Sequence, residues 1–263
     1  MNTLKRAKEA LWAKSGLGHD KDGYVDCPDA NLLDGVPPTL IKDDYDGGSG
    51  QEWLGKIRAI HSSSALVANS FGRWKLTPSS LTILGRSGFA APKLEAKCPS
   101  GLGGTPPNLD ALLTSNDTII GIESKLLEPL TPKVPAFSSS YKRDRLPLCE
   151  DGWWRLLEEV KTWPASHLDA AQLIKHYLGL RNQFPKGKTV ILLYLFWKPL
   201  NADSFDEYKK HADHLAVFKR RVKDSPAVQF ESMDYLSLWE SWETYPKLAN
   251  HAKLMKDRYA VAI

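Results

Sequence analysis

Residues 104–128 read GTPPNLDALLTSNDTIIGIESKLLE, and this stretch decides the fold. Two apolar runs, 108–113 and 119–125, flank a polar cluster at 114–117 of the kind that closes a hairpin. Side chains of a strand alternate faces, so Ile120, Ile122 and Ser124 point one way and Ile119, Gly121, Glu123 and Lys125 the other. Folding back at the turn brings Asp110 beside Glu123 and Lys125, so that two carboxylates and an ammonium converge. Mg²⁺ keeps several waters and takes one or two carboxylates plus phosphate oxygens, which suits Asp110 and Glu123 as the protein's share. The backbone carbonyl of Ser124 is a further ligand, and Mn²⁺ is an alternative ion. The competing reading of the trio is an ion pair that keeps an edge strand soluble.

NLDALL, a turn and IIGIESK together resemble the PD-(D/E)XK nuclease superfamily, the restriction-endonuclease-like fold, whose motif sets an Asp on one strand and Glu-x-Lys on the next. Asp110 matches its first acidic residue, Glu123 its second and Lys125 its lysine; the proline before the Asp is displaced, since Asn108 and Leu109 follow Pro107. HSSSALVANSFG at 61–72, GTPPNLDALL and IESKLLE are similar to one branch of small prokaryotic nucleases in that superfamily. The resemblance implies an α/β domain with a mixed central sheet flanked by helices. It implies a Mg²⁺-dependent or Mn²⁺-dependent endonuclease that hydrolyses phosphodiester bonds in DNA, duplex foremost, with Lys125 orienting the attacking water or stabilising the transition state. In that superfamily the following helix often aims a Gln at the site, and Gln172 is the candidate in 168–180, LDAAQLIKHYLGL. Gln172 is also readable as an exposed helix former, and His176, one turn on, as a surface or half-buried histidine. The alternative function is a catalytically silent module of the same fold that binds nucleic acid or a protein; RNA as substrate also stays open, because a metal site touches only the phosphate.

Glu-x-Lys recurs at Glu95-Ala96-Lys97, Glu159-Val160-Lys161 and Glu207-Tyr208-Lys209, so the pattern alone selects nothing. The last two lie in helix-like, charge-rich sequence and read as solvated surface. Glu95 lies on a short strand upstream of Asp110 and is either a third carboxylate of the site or a solvent-facing residue. The segment 129–150 carries Lys142, Arg143 and Arg145; it reads equally as a flexible surface loop and as a loop whose cations neutralise nucleic-acid phosphates.

With 263 residues and 42% hydrophobic content the chain has ample core for a domain, read here as 51–263, preceded at 1–50 by a helix and an extended arm. Net charge is +4 and the pI near 8.8, a mildly basic surface that permits a polyanion partner. Three distant cysteines without metal-ligand spacing, and a basic N-terminal segment with no apolar core after it, point to a reducing cytoplasm. The longest apolar run, 190–197, falls far short of the roughly 20 residues a membrane span needs and reads as a buried strand. Gly101, Gly103 and Gly104 lack dinucleotide-loop spacing, and Gly187-Lys188-Thr189 lacks the rest of a P-loop. A homodimer would place one site on each strand of a duplex, but no heptad or self-complementary strip marks it. Further strands are expected near 81–84, 94–98 and 227–233, and helices at 4–14, from Gln51 in two parts to 70, and over 203–223, 236–243 and 245–259.

Overall fold

The computed structural model describes residues 2–47, 52–184 and 186–263, and among them forms eight α-helices and five strands. In chain order these are α1 (Thr3–Ser15), α2 (Pro38–Asp46), α3 (Ser63–Phe71), β1 (Lys93–Lys97), β2 (Asn108–Thr114), β3 (Thr118–Lys125), α4 (Asp151–Val160) and α5 (Ala170–Gln183). Next come β4 (Thr189–Phe196), α6 (Asp206–Val222), β5 (Gln229–Asp234), α7 (Tyr235–Glu243) and α8 (Pro246–Tyr259). The strands stand in the order β1-β2-β3-β4-β5, antiparallel across β1, β2 and β3 and parallel across β3, β4 and β5. This is the mixed α/β sheet that the sequence implies.

Hydrophobic pattern explains the placing of the strands. β3 is buried along its whole length and takes the middle of the sheet, whereas β2 alternates buried and half-buried residues nearer the edge. Ser115 N donates to Thr118 O at 2.8 Å and closes the hairpin between them. One core lies on the face of Ile120, Ile122, Leu193 and Leu195, the other on the face of Ile119, Val190, Leu192 and Tyr194. A parallel pair needs a crossover, and α4 and α5 supply it between β3 and β4.

α5 lies very close to the sheet because two glycines admit it. A Cβ on Gly121 would stand 2.9 Å from Leu180, and one on Gly179 would stand 2.2 Å from the carbonyl oxygen of Cys98. Gly179→Ala is therefore expected to force α5 off the sheet and cost about 1–3 kcal/mol as overpacking does; a thermal midpoint equal to wild type would contradict this close approach.

Three expectations need correction. The segment 81–84 is not a strand: Ile83 and Arg86 exchange backbone hydrogen bonds of 2.9 Å around Leu84 and Gly85, both at positive φ, so the apolar residues close a tight turn. Between Gly16 and Gly47, expected as an extended arm, the chain forms α2 and a 3₁₀ turn at Pro28–Asn31 and buries Val25, Val36, Ile41 and Tyr45 in the first core. Pro38 starts α2, where its missing N–H costs nothing. The helix expected from Gln51 has its start outside the described residues; from residue 52 the chain forms turns and a short 3₁₀ segment, Lys56–Arg58, and the regular helix begins only at Ser63. Ser62 caps it by accepting from Ser64 N and Ala65 N, the role open to the serines at 62–64.

His211 and His251 are buried, and burial pushes each imidazole down to about 4. Both stay neutral in the fold, while the unfolded chain takes up protons near pH 6.5, so stability is full above that pH and falls as pH drops from 6.5 toward 4. Each is expected to remove up to about 3 kcal/mol over that window, measured as the urea midpoint against pH. Asn or Gln at both positions should make the profile shallower; an unchanged slope would show that other groups carry it.

Candidate active site

Glu123 and Lys125 sit two residues apart on the α5-facing side of β3, and α5 matches them turn for turn. Two strand residues rise about 6.6 Å and four helix residues about 6 Å, so one step along this face of β3 equals one turn of helix. Leu180 thus lies over Gly121, His176 against Glu123 with Nε2 2.6 Å from Oε2, and Gln172 against Lys125, whose Nζ donates to its Oε1 at 2.9 Å. Lys125 Nζ also pairs with Glu123 Oε1. Asp169 caps α5 by accepting from Gln172 N at 3.0 Å, which fixes the turn that carries Gln172.

Asp110 enters from β2. Its Oδ2 accepts a hydrogen bond of 2.6 Å from Ser124 N, so a carboxylate stands where the ladder would place a carbonyl. Trp197 N donates to Lys125 O at 2.8 Å, which turns the Lys125 carbonyl toward β4. Carbonyls alternate along a strand, and that of Ser124 faces the β2 side, where Asp110 stands. The Ser124 hydroxyl is held by Tyr235 OH at 2.6 Å.

Glu95 is buried, not solvent-facing, and adopts a left-handed φ of 47°, a conformation that few residues other than glycine occupy. Side chains two apart on a strand should share a face, yet Leu94 lies in one core and Ala96 in the other; the same switch occurs between Ala111 and Leu109. Glu95 and Asp110 occupy the two break points, between the pairs Leu94↔Ala111 and Ala96↔Leu109. Asn108 Nδ2 donates to Glu95 Oε2 at 3.2 Å.

The electrostatics are those of crowded, poorly hydrated acids. Burial and the charge of Glu123 push the Asp110 carboxyl well above its usual range. Burial pushes Glu95 up to about 7, with Glu52 adding to it. Burial acts the same way on Glu123, but Lys125 and His176 outweigh it and hold that carboxyl at about 2. For Lys125 burial is outweighed in turn by Glu123, Glu128 and Asp110, which raise its ammonium well above the ordinary value. Glu123 spends one contact on each oxygen, Oε1 on Lys125 Nζ and Oε2 on His176 Nε2, and a carboxylate oxygen has lone-pair capacity beyond a single contact. Among the described residues no three His, Cys, Asp or Glu side chains already stand as a complete metal cage. Two carboxylates and a backbone carbonyl are oxygen donors only, the donor type that hard divalent cations take alongside water.

A cleft of about 470 Å³ opens beside these residues, with Lys125 in its lining. It is lined by residues of α1, the 56–63 segment, 127–133 and 166–169. The cations that line it with Lys125 are Lys8, Lys56 and Lys133. Lys142, Arg143 and Arg145 are not among its lining residues: Lys142 is exposed, Arg143 pairs with Asp151 at 2.6 Å and donates to Cys149 O at 2.5 Å, and Arg145 donates to Leu102 O at 3.4 Å.

Sequence reasoning sets His176 aside as a surface or half-buried residue; it is wholly buried against Glu123. Its one signal is the four-residue spacing from Gln172. Glu52 escapes notice altogether, although it pairs with Lys56 at 2.6 Å and stands near enough to Glu95 to raise it. Only the i,i+4 spacing of that pair is visible in the sequence.

A model of the family described as restriction endonuclease associating with ARP matches residues 13–260. No curated protein and no solved structure matches the chain. Among the described residues no helix is long and apolar enough to cross a membrane. The family match spans nearly the whole chain, from the last turn of α1 to the end of α8, and takes in every residue of the β2, β3 and α5 cluster, so this protein is a member of that restriction-endonuclease family.

Proposed function

We propose that the protein is a Mg²⁺-dependent nuclease that hydrolyses phosphodiester bonds in DNA. The observation that carries this reading is the meeting of Asp110, Glu123 and Lys125 just past the last β2–β3 pair, Ala111↔Ile122, with further lone-pair capacity on the Glu123 carboxylate. Asp110, Glu123 and the Ser124 carbonyl are the residues that would hold the ion, with Glu95 as a further carboxylate. When bound, a divalent cation supplies Lewis acidity toward water and the phosphoryl oxygens.

The chain's own groups do the rest. Lys125, kept charged by its acidic neighbours, places its ammonium against the scissile phosphate, where it orients the attacking water and offsets charge that grows in the transition state. Gln172 and Glu123 hold that ammonium in place. His176 fixes the Glu123 carboxylate from the other side. Leu180 and Gly121 set the height of α5 above them.

The test is incubation of the protein with supercoiled plasmid, single-stranded DNA and RNA, each with Mg²⁺, Mn²⁺ or EDTA. Loss of DNA that depends on the divalent ion supports the reading. DNA binding indifferent to Mg²⁺, with no nicking, would instead identify a silent member of the fold, and loss of RNA alone would move the substrate.

A further inference from the structure

Lys125 is the one residue of the Asp110, Glu123 and Lys125 trio that lines the cleft, so the cleft is the approach to the site from its lysine side. Its lining combines cations and rings: Lys8, Lys56 and Lys133 with Tyr24, His61 and His167. Lys56 and Lys133 each pair with one carboxylate, Glu52 and Asp169, at 2.6 Å. Lys8 is half-buried on α1, and no carboxylate among the described residues forms an ion pair with it. The rings are organised. Trp12 Nε1 donates to His61 Nδ1 at 3.1 Å, and Tyr24 meets the same imidazole edge-on with centroids 6.2 Å apart. Burial pushes His61 down to about 4, with Lys8 adding to the shift, so a neutral ring stands among the lysines here.

A groove that combines cations with rings is how proteins hold unpaired strands: cations follow the phosphates and bases stack on rings. Size points the same way. About 470 Å³ falls within the roughly 300–1,000 Å³ of pockets that enclose one small ligand. That space suits a nucleotide and its neighbouring phosphate, whereas a base pair with both backbones is far larger.

We infer that the cleft takes a single, unpaired DNA strand, with Lys8 and Lys133 on phosphates flanking the one presented to Lys125. The inference rests on the nuclease reading for the role of Lys125, and it narrows the substrate from duplex to single-stranded or locally opened DNA.

Binding in EDTA separates the two. Fluorescence anisotropy of a labelled oligonucleotide of about 12 nucleotides is measured as single strand, as its duplex and as the same sequence in RNA, over a salt series. The single DNA strand is expected to bind at least tenfold more tightly than the duplex. Lys8→Ala and Lys133→Ala should each weaken it several-fold and reduce the salt slope by about 0.7, the share of one neutralised phosphate on a single strand. Lys219→Ala, outside the cleft, serves as control, and thermal midpoints check that each variant is folded. Duplex bound as tightly as single strand, RNA bound in preference to DNA, or folded Lys8 and Lys133 variants that bind like wild type would each overturn the assignment. Tight single-strand binding by a protein that cuts nothing with Mg²⁺ would uphold the cleft and remove the nuclease reading instead.

Discussion

Lys125→Ala is expected to lower Mg²⁺-dependent cleavage by about a hundredfold to ten-thousandfold, the contribution a positioned proton-transfer or charge-stabilising group makes, while DNA binding stays close to wild type. The side chain is 11% exposed and offers the substrate only its tip, so it adds little binding surface. Its ammonium is committed to Glu123 and Gln172 before substrate arrives, which fixes its position in advance of the reaction. Removing it leaves Glu123 buried with His176 alone, and breaking a buried pair can cost about 3–5 kcal/mol. Lys125→Met keeps more of the packing and tests the same charge. Single-turnover cleavage with enzyme in excess is the measurement, with the thermal midpoint alongside. A folded variant of either kind that cuts at the wild-type rate would remove Lys125 from the chemistry.

Asp110→Asn should separate stability from function. Asn retains an oxygen able to accept from Ser124 N, so the β2–β3 junction is preserved. It lacks the negative charge that burial and Glu123 make unfavourable, and the metal-free variant is expected to melt above metal-free wild type. With Mg²⁺ or Mn²⁺ the order reverses. A ligand at a hundred times its dissociation constant adds about 2.7 kcal/mol to a protein that binds it only when folded; wild type should gain that increment and the variant should lose most of it, together with cleavage. Melting curves with and without the ion provide a readout independent of turnover. A variant that melts below wild type without metal, or gains as much from the ion, would mean that Asp110 is a structural acceptor and not a ligand.

Much of this site is legible before folding because its motif is local. Asp110, Glu123 and Lys125 lie within one hairpin, where strand period and turn chemistry fix which side chains approach, and the α5 spacing of Gln172 and His176 follows from the helix repeat. The long periodic helices α6 and α8 and the buried β3 and β4 announce themselves for the same reason: each carries its own repeat of apolar residues. Short elements do not. Leu81 to Leu84 holds an apolar run that turn geometry claims, and α2 shows only Ile41 and Tyr45 as its buried positions, too few to mark a period.

The sequence by itself determined the sheet, the trio on its central hairpin and the crossover helix behind it, since neighbours along the chain dictate these through backbone periodicity. Only the tertiary structure decided which distant groups reach that hairpin. The burial of His176 depends on how near Gly121 and Gly179 let α5 approach. The inward turn of Glu95 depends on a left-handed residue that no alternation rule anticipates. The cleft brings together residues of α1, the 56–63 segment and 127–133, far apart in the chain and joined only by packing, so the charge and rings that line it have no signature in local spacing.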